Sequence, residues 1–160
     1  MFPMLAALYH LLGDGTTYTV LNKEGKIKEK YILDKGFLPD PDSGGARIKP
    51  SQDPVPDIPV ALITGKLSAS SGELIALGFR GRKNTIIIGE KSYGLTSGNS
   101  LTVLPFDCKL TLTSGYLADR EGTYTVQVIP DIEIIKEANL VDLKQDRNVQ
   151  EGMKFISSKY

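Results

Sequence analysis

The chain has 160 residues, about one domain's length and enough to bury a real core. Nineteen Lys and Arg balance nineteen Asp and Glu, so the charge gives no reason to expect a nucleic-acid or anionic-surface partner. A single cysteine, Cys108, and a single histidine, His10, exclude an internal disulfide and a His-rich metal site, so neither a metal nor another cofactor is expected.

The opening "MFPMLAALYHLLGDG" is apolar. It lacks the basic start and small-residue cleavage site of a signal peptide, and it is too short to span a bilayer. Its pattern predicts a buried helix with Pro3 in the first turn and Gly13 near the C-cap. A chain that begins almost at once with a core helix reads as cut from something longer. "TTYTVLNKEGKIKEKYIL" then predicts a hairpin turning at Lys23-Glu24-Gly25-Lys26. From Asp34 to Asp57 five prolines and three glycines predict an irregular surface loop.

"PVALIT" reads as a short strand covered on both faces. "SGELIALGFRGR" has helical spacing, with Leu74, Leu77 and Gly78 on one face and Gly81 as a stop. "NTIIIG" is a second buried strand. "NSLTVLP" and "KLTLTSGYL" alternate as strands joined by a turn at Asp107-Cys108, and "GTYTVQVI" follows the turn "DREG". The tail "DRNVQEGMKFISSKY" places Val149, Met153, Ile156 and Tyr160 at helical spacing, as in a closing amphipathic helix. The sum is a mixed α/β domain.

Between the "PVALIT" strand and the following helix stand Ser68, Ser70 and Ser71. Ser70-x-x-Glu73 is a capping box, in which each side chain satisfies an orphan N–H of the first helical turn. The same strand, tight turn and helix also make a nucleophile elbow, which exposes a serine at the end of a sheet. Small residues must flank such a serine, and Ser68 and Gly72 stand two positions either side of Ser70. The helix start behind it offers free N–H groups and partial positive charge to a developing oxyanion, with Ser71 N–H as the first donor.

The segments "PVALITGKLSASSGE", "FRGRKNTIIIGEKSYGLTSGN", "LTLTSGYLADREG" and "VIPDIEI" occur together and in this order. In them the run from Pro59 to Asp131 resembles the catalytic half of the tail-specific (C-terminal-processing) serine peptidases, and most closely their nisin-resistance branch. The opening segment is similar to the helix that follows that family's Gly-Gly segment. The resemblance implies a crotonase/caseinolytic-protease-like fold, a mixed sheet with flanking helices and active sites at a sheet edge. It also implies Ser70 as nucleophile and a peptide or protein C-terminal tail as substrate. Residues 1–160 would be the C-terminal, nucleophile-bearing part of the catalytic domain, with the N-terminal half absent. Family members are extracytoplasmic, secreted or membrane-anchored, and an anchor would lie in a segment absent here.

The sequence departs from the family at the general base. One branch places a lysine directly after an aromatic-Gly pair; here Tyr93-Gly94 is followed by Leu95, which cannot accept a proton. In the nisin-resistance branch the base is a histidine from the N-terminal half, and His10 matches no catalytic motif. Lys91 reads as a surface lysine rather than a substitute base. The base is therefore expected from outside this chain. The alternative is a non-catalytic peptide-binding or scaffold module that keeps the fold. Tyr93, Gly94 and Thr96 form a Gly-containing loop suited to lining a substrate. Asp119, Arg120 and Glu121 read as a turn with a local ion pair, Asp131 as turn chemistry at a strand end, and Cys108 as a poor nucleophile. The Ser68–Gly72 turn and the 93–99 loop should bound a groove, whose uncovered apolar face favours self-association.

Overall fold

The computed structural model describes residues 2–40, 44–50, 53–135 and 142–160 and shows the expected mixed α/β architecture. The predicted first helix is two: α1 (Phe2–Ala7) and α2 (Tyr9–Leu12), broken at Leu8. Gly13, at a φ of 68°, caps the pair as expected, its N–H donating to the Tyr9 carbonyl. Leu5, Ala6, Tyr9 and Leu12 are buried. Among the described residues no helix is long and apolar enough to cross a membrane.

β1 (Gly15–Leu21) and β2 (Ile27–Leu33) form the predicted antiparallel hairpin. Asn22 sets its turn, the side-chain oxygen accepting from Glu24 and Lys26 N–H. The stretch from 34 to 57, of which 41–43 and 51–52 lie outside the described residues, is less detached than its composition suggests. β3 (Phe37–Leu38) pairs with β4 (Ala46–Arg47), Leu38 is fully buried, and Val55 N–H donates to the His10 carbonyl.

β5 (Val60–Thr64) leads into α3 (Ser71–Phe79) and then β6 (Thr85–Gly89), which pairs parallel with β5 in register from Val60↔Thr85 to Thr64↔Gly89. β5 is not covered on both faces: it is an outer strand of its sheet, and Ile63 is 47% exposed. α3 ends where predicted, with Arg80 as C-cap and Gly81 at a φ of 78°. It buries Leu74, Ala76, Leu77 and Phe79 against Leu5, Leu12, Tyr18, Leu33 and Ile87 in one core. Gly78 lets α1 approach, because a Cβ there would stand 2.9 Å from Leu5 Cδ2.

β7 (Ser97–Val103) and β8 (Lys109–Ala118) form a long hairpin, and the antiparallel sheet runs β2-β1-β8-β7. β8 joins β1 only at Tyr116–Ala118, so the distal hairpin is a ribbon of two strands. Leu101, Val103 and Leu112 are exposed on it, and Phe106 at the tip is 98% exposed. Residues 123–130 form no strand despite their alternation, because their polar backbone groups are taken by residues 92–96. Ser92 N–H donates to Val128 O, Val128 N–H to Ser92 Oγ, and the Thr96 hydroxyl to the Thr125 and Val126 carbonyls. β9 (Ile132–Glu133) then adds parallel to β6.

The closing helix, α4 (Arg147–Ser157), packs on β5 and β6 through a face rotated from the predicted one, with Val149 and Ile156 still half-buried. Asn148 and Gly152 are buried while Met153 is 61% exposed, and Tyr160 lies past the helix end. Gly152 explains the rotation: a Cβ there would stand 3.1 Å from Ala61 Cβ, so the helix sits closest where it has no side chain.

Tyr18 is buried in the core and stacks on Tyr31 with ring centroids 4.5 Å apart. Burial, reinforced by Tyr31 and by the charges of Asp40 and Glu29, pushes its phenol well above the ordinary 10.0. The unfolded chain gives up this proton near the ordinary value, so the stability contribution is complete below that pH and lost as pH rises above it. Urea unfolding at about pH 8 and about pH 11 should show that loss, and Tyr18→Phe should reduce it. An unchanged pH slope in Tyr18→Phe would assign the loss elsewhere.

Candidate active site

The site begins where β5 and β6 end. Glu90 N–H donates to the Thr64 carbonyl at 3.0 Å, and the Thr64 hydroxyl to the Glu90 carbonyl at 2.9 Å. The chain then turns at Gly65–Ser68, with Ser68 N–H on the Gly65 carbonyl and Gly65 N–H on Ser68 Oγ. Ser68 therefore spends its hydroxyl on the turn.

Ser70 is the N-cap of α3, exposed, with φ 51° and ψ −114°. A non-glycine residue in that region carries strain of about 1–3 kcal/mol and persists only where its surroundings enforce it. Here Gly72 N–H binds the Ala69 carbonyl, Leu74 N–H the Ser70 carbonyl, and Ser70 N–H donates to Glu73 Oε2 at 2.7 Å. The capping pair and the elbow are thus one arrangement. Glu73 turns the serine backbone outward, and the first N–H groups of α3, Ser71 N–H foremost, lie at a helix start without intrahelical acceptors.

The loop after β6 is tied to this turn. Tyr93 N–H donates to the Ser68 carbonyl at 2.8 Å, and Gly94 and Leu95 N–H donate to Glu73 at 2.7 and 2.8 Å. Tyr93 and Leu95 are exposed. Gly94 has a φ of 103° and stands so close to residues 126–127 that a Cβ would lie 3.2 Å from Gln127 Cγ. Ser70, Ser71, Tyr93 and Gly94 are therefore brought together. Thr96 is buried, with its hydroxyl directed at the 125–126 backbone rather than at the surface. A cavity of about 410 Å³ adjoins the loop, lined by Lys66, Glu90, Ser92, Tyr93, Gln127 and Glu133. Lys66 Nζ stands 3.3 Å from Glu90.

Lys91 is half-exposed and pairs with Glu133 at 3.9 Å. Asp119 accepts Glu121 and Thr123 N–H, so its carboxylate closes the turn, and Arg120 Nε donates to the Gly78 carbonyl. Burial, helped by nearby Arg82, lowers the Arg120 pKa. Asp131 accepts Ile87 N–H at 2.7 Å and pairs with Arg80 at 3.2 Å. Cys108 is exposed beside the hairpin tip, and His10 lies in α2. Among the described residues no lysine, histidine or carboxylate side chain is hydrogen-bonded to the Ser70 hydroxyl. Sequence reasoning took Glu73 only as a cap and passed over Ser92, whose hydroxyl also donates to Glu73. The Ser-x-x-Glu spacing signalled the first of these bonds; nothing in the sequence signalled the others.

The chain is 34% identical over 134 residues to the nisin-resistance protein of Lactococcus lactis subsp. lactis, covering 82% of this chain and 41% of that protein. Its fold is similar to that of a lipoprotein from Streptococcus agalactiae, with a TM-score of 0.69 at 24% identity over 99% of this chain and 50% of that one. The photosystem II D1 C-terminal processing protease is similar at a TM-score of 0.63 and 18% identity, over 90% of this chain and 34% of that one. The chain thus spans half or less of the length of these relatives. The pattern described as Peptidase family S41 matches residues 3–134. On that match, the chain belongs to peptidase family S41.

Proposed function

We propose that this chain carries the nucleophile of a serine peptidase acting on peptides or protein C-terminal tails. Ser70 attacks the scissile carbonyl and Ser71 N–H holds the oxyanion. The observation that carries the reading is the exposed Ser70 in a strained backbone at the start of α3, a combination that a cap alone does not require. Residues 1–160 form the C-terminal, nucleophile-bearing part of the catalytic domain, and the general base comes from a segment outside them. Substrate lies extended beside the Ser68–Gly72 turn and the 93–95 loop. Likeness to a protein named as a lipoprotein supports an extracytoplasmic site of action. The exposed apolar side chains of this chain, Leu67, Tyr93 and Leu95 among them, support self-association when it is isolated.

The observation favouring a non-catalytic binding module is Leu95, which stands in the loop beside the turn and whose side chain cannot accept a proton. The two readings separate by assay. The 160-residue chain alone should show no Ser70-dependent cleavage of a peptide that the full-length protein cleaves, because an unassisted serine hydroxyl is a weak nucleophile. Turnover by the isolated chain that disappears on Lys91→Ala would replace the outside base with a serine–lysine pair. A full-length protein without turnover would favour the binding module.

A further inference from the structure

Glu73 is fully buried, and its two oxygens accept four bonds from two separate segments. Oε2 takes Ser70 N–H at 2.7 Å and Leu95 N–H at 2.8 Å; Oε1 takes the Ser92 hydroxyl at 2.5 Å and Gly94 N–H at 2.7 Å. Capping α3 requires only the first of these. The other three reach a loop 19 to 22 residues further along the chain. Through Oε2 the backbones of Ser70 and Leu95 stand one oxygen atom apart.

We infer that Glu73 is a positioning residue, which fixes the 92–95 loop against the Ser70 turn and so sets the alignment of nucleophile and substrate wall. The inference rests on reading Ser70 as the nucleophile. Only a carboxylate fits the role. A glutamine has one accepting oxygen, and its amide group would face donors where Glu73 now accepts. An aspartate is one methylene short and cannot reach both the helix cap and the loop. The second attachment between these segments is a single backbone bond, Tyr93 N–H on the Ser68 carbonyl.

The test is Glu73→Gln in the full-length protein, read per folded molecule. kcat should fall roughly a hundred-fold, as for a misplacement of about 1 Å, with KM changed less than about threefold. In the isolated chain, amide exchange at Gly94 and Leu95 should accelerate more than about tenfold, while Leu117 N–H, held by the Thr96 carbonyl, stays protected. A lowered melting temperature with kcat and both exchange rates unchanged would make Glu73 a mere stabiliser and overturn the inference. Should Glu73→Gln fail to fold, Ser92→Ala carries the test. It removes one of the four donors and should lower kcat about fivefold with faster exchange at Gly94; no change in either overturns the inference. Failure of the underlying reading shows separately, as turnover that survives Ser70→Ala while exchange at Gly94 and Leu95 still responds to Glu73→Gln.

Discussion

Ser70→Ala in the full-length protein is expected to lower kcat by roughly 10⁴- to 10⁶-fold, to whatever binding and oxyanion donors alone provide. The hydroxyl is the only part of Ser70 that the change removes. Ser70 N–H keeps its bond to Glu73 and the Ser70 carbonyl keeps Leu74 N–H, so the turn and α3 should remain. Stability should fall by about 1 kcal/mol at most, the usual worth of a cap. Ser71→Ala retains the backbone N–H that binds the oxyanion, and Ser68→Ala loses only the contact to Gly65 N–H, so both should keep substantial turnover. The comparison is kcat of the three purified variants beside their melting temperatures. Near-normal turnover in Ser70→Ala would end its assignment as nucleophile.

The largest loss of stability is expected at Gly89, the last residue of β6. Its φ is 120°, and a Cβ there would stand 2.1 Å from the Thr64 carbonyl oxygen, which is backbone and cannot rotate away. That oxygen also accepts Glu90 N–H, so the clash falls on the bond that joins the ends of β5 and β6. Gly89→Ala should therefore cost about 4 kcal/mol or more, adding strain at positive φ to separation of the strands. For a chain of this size that is a fall in melting temperature of roughly 10 °C or more. A melt of the isolated chain measures it, and a shift of less than about 3 °C would show that the strands part there freely.

What the sequence made legible was local. The apolar runs at 60–64 and 85–89 are strands because each is short, β-branched and bounded by turn residues. The elbow was visible because small residues surround Ser70, and the β1–β2 turn because Gly25 stands within Lys23–Lys26, although the part that Asn22 plays shows only in the structure. What it hid depends on distant partners. Residues 123–130 alternate like a strand, but Ser92 and Thr96 claim their backbone groups first. The face of α4 is shifted from its apolar spacing because Gly152, which has no side chain to register in that spacing, permits the closest approach to Ala61. Leu38 looks like part of a loose loop until its burial places it in the core. Glu73 reads as a local cap, and three of its four bonds come from a loop with no pattern of its own.

The distal part of the β7–β8 hairpin has a spectroscopic consequence. The chain has no tryptophan, and its seven tyrosines stand at 9, 18, 31, 93, 116, 124 and 160. None falls between Asn99 and Ser114, where the two strands pair only with each other. Tyr116 and Tyr124, with ring centroids 5.2 Å apart, mark the base of the ribbon and report whether β8 is still attached to β1. Tyrosine emission therefore follows the body of the domain and is blind to its arm, which carries Phe106 as its only aromatic ring. Two-stranded ribbons are marginal in water, so this one can open and close many times within a single lifetime of the folded body without any change in that signal.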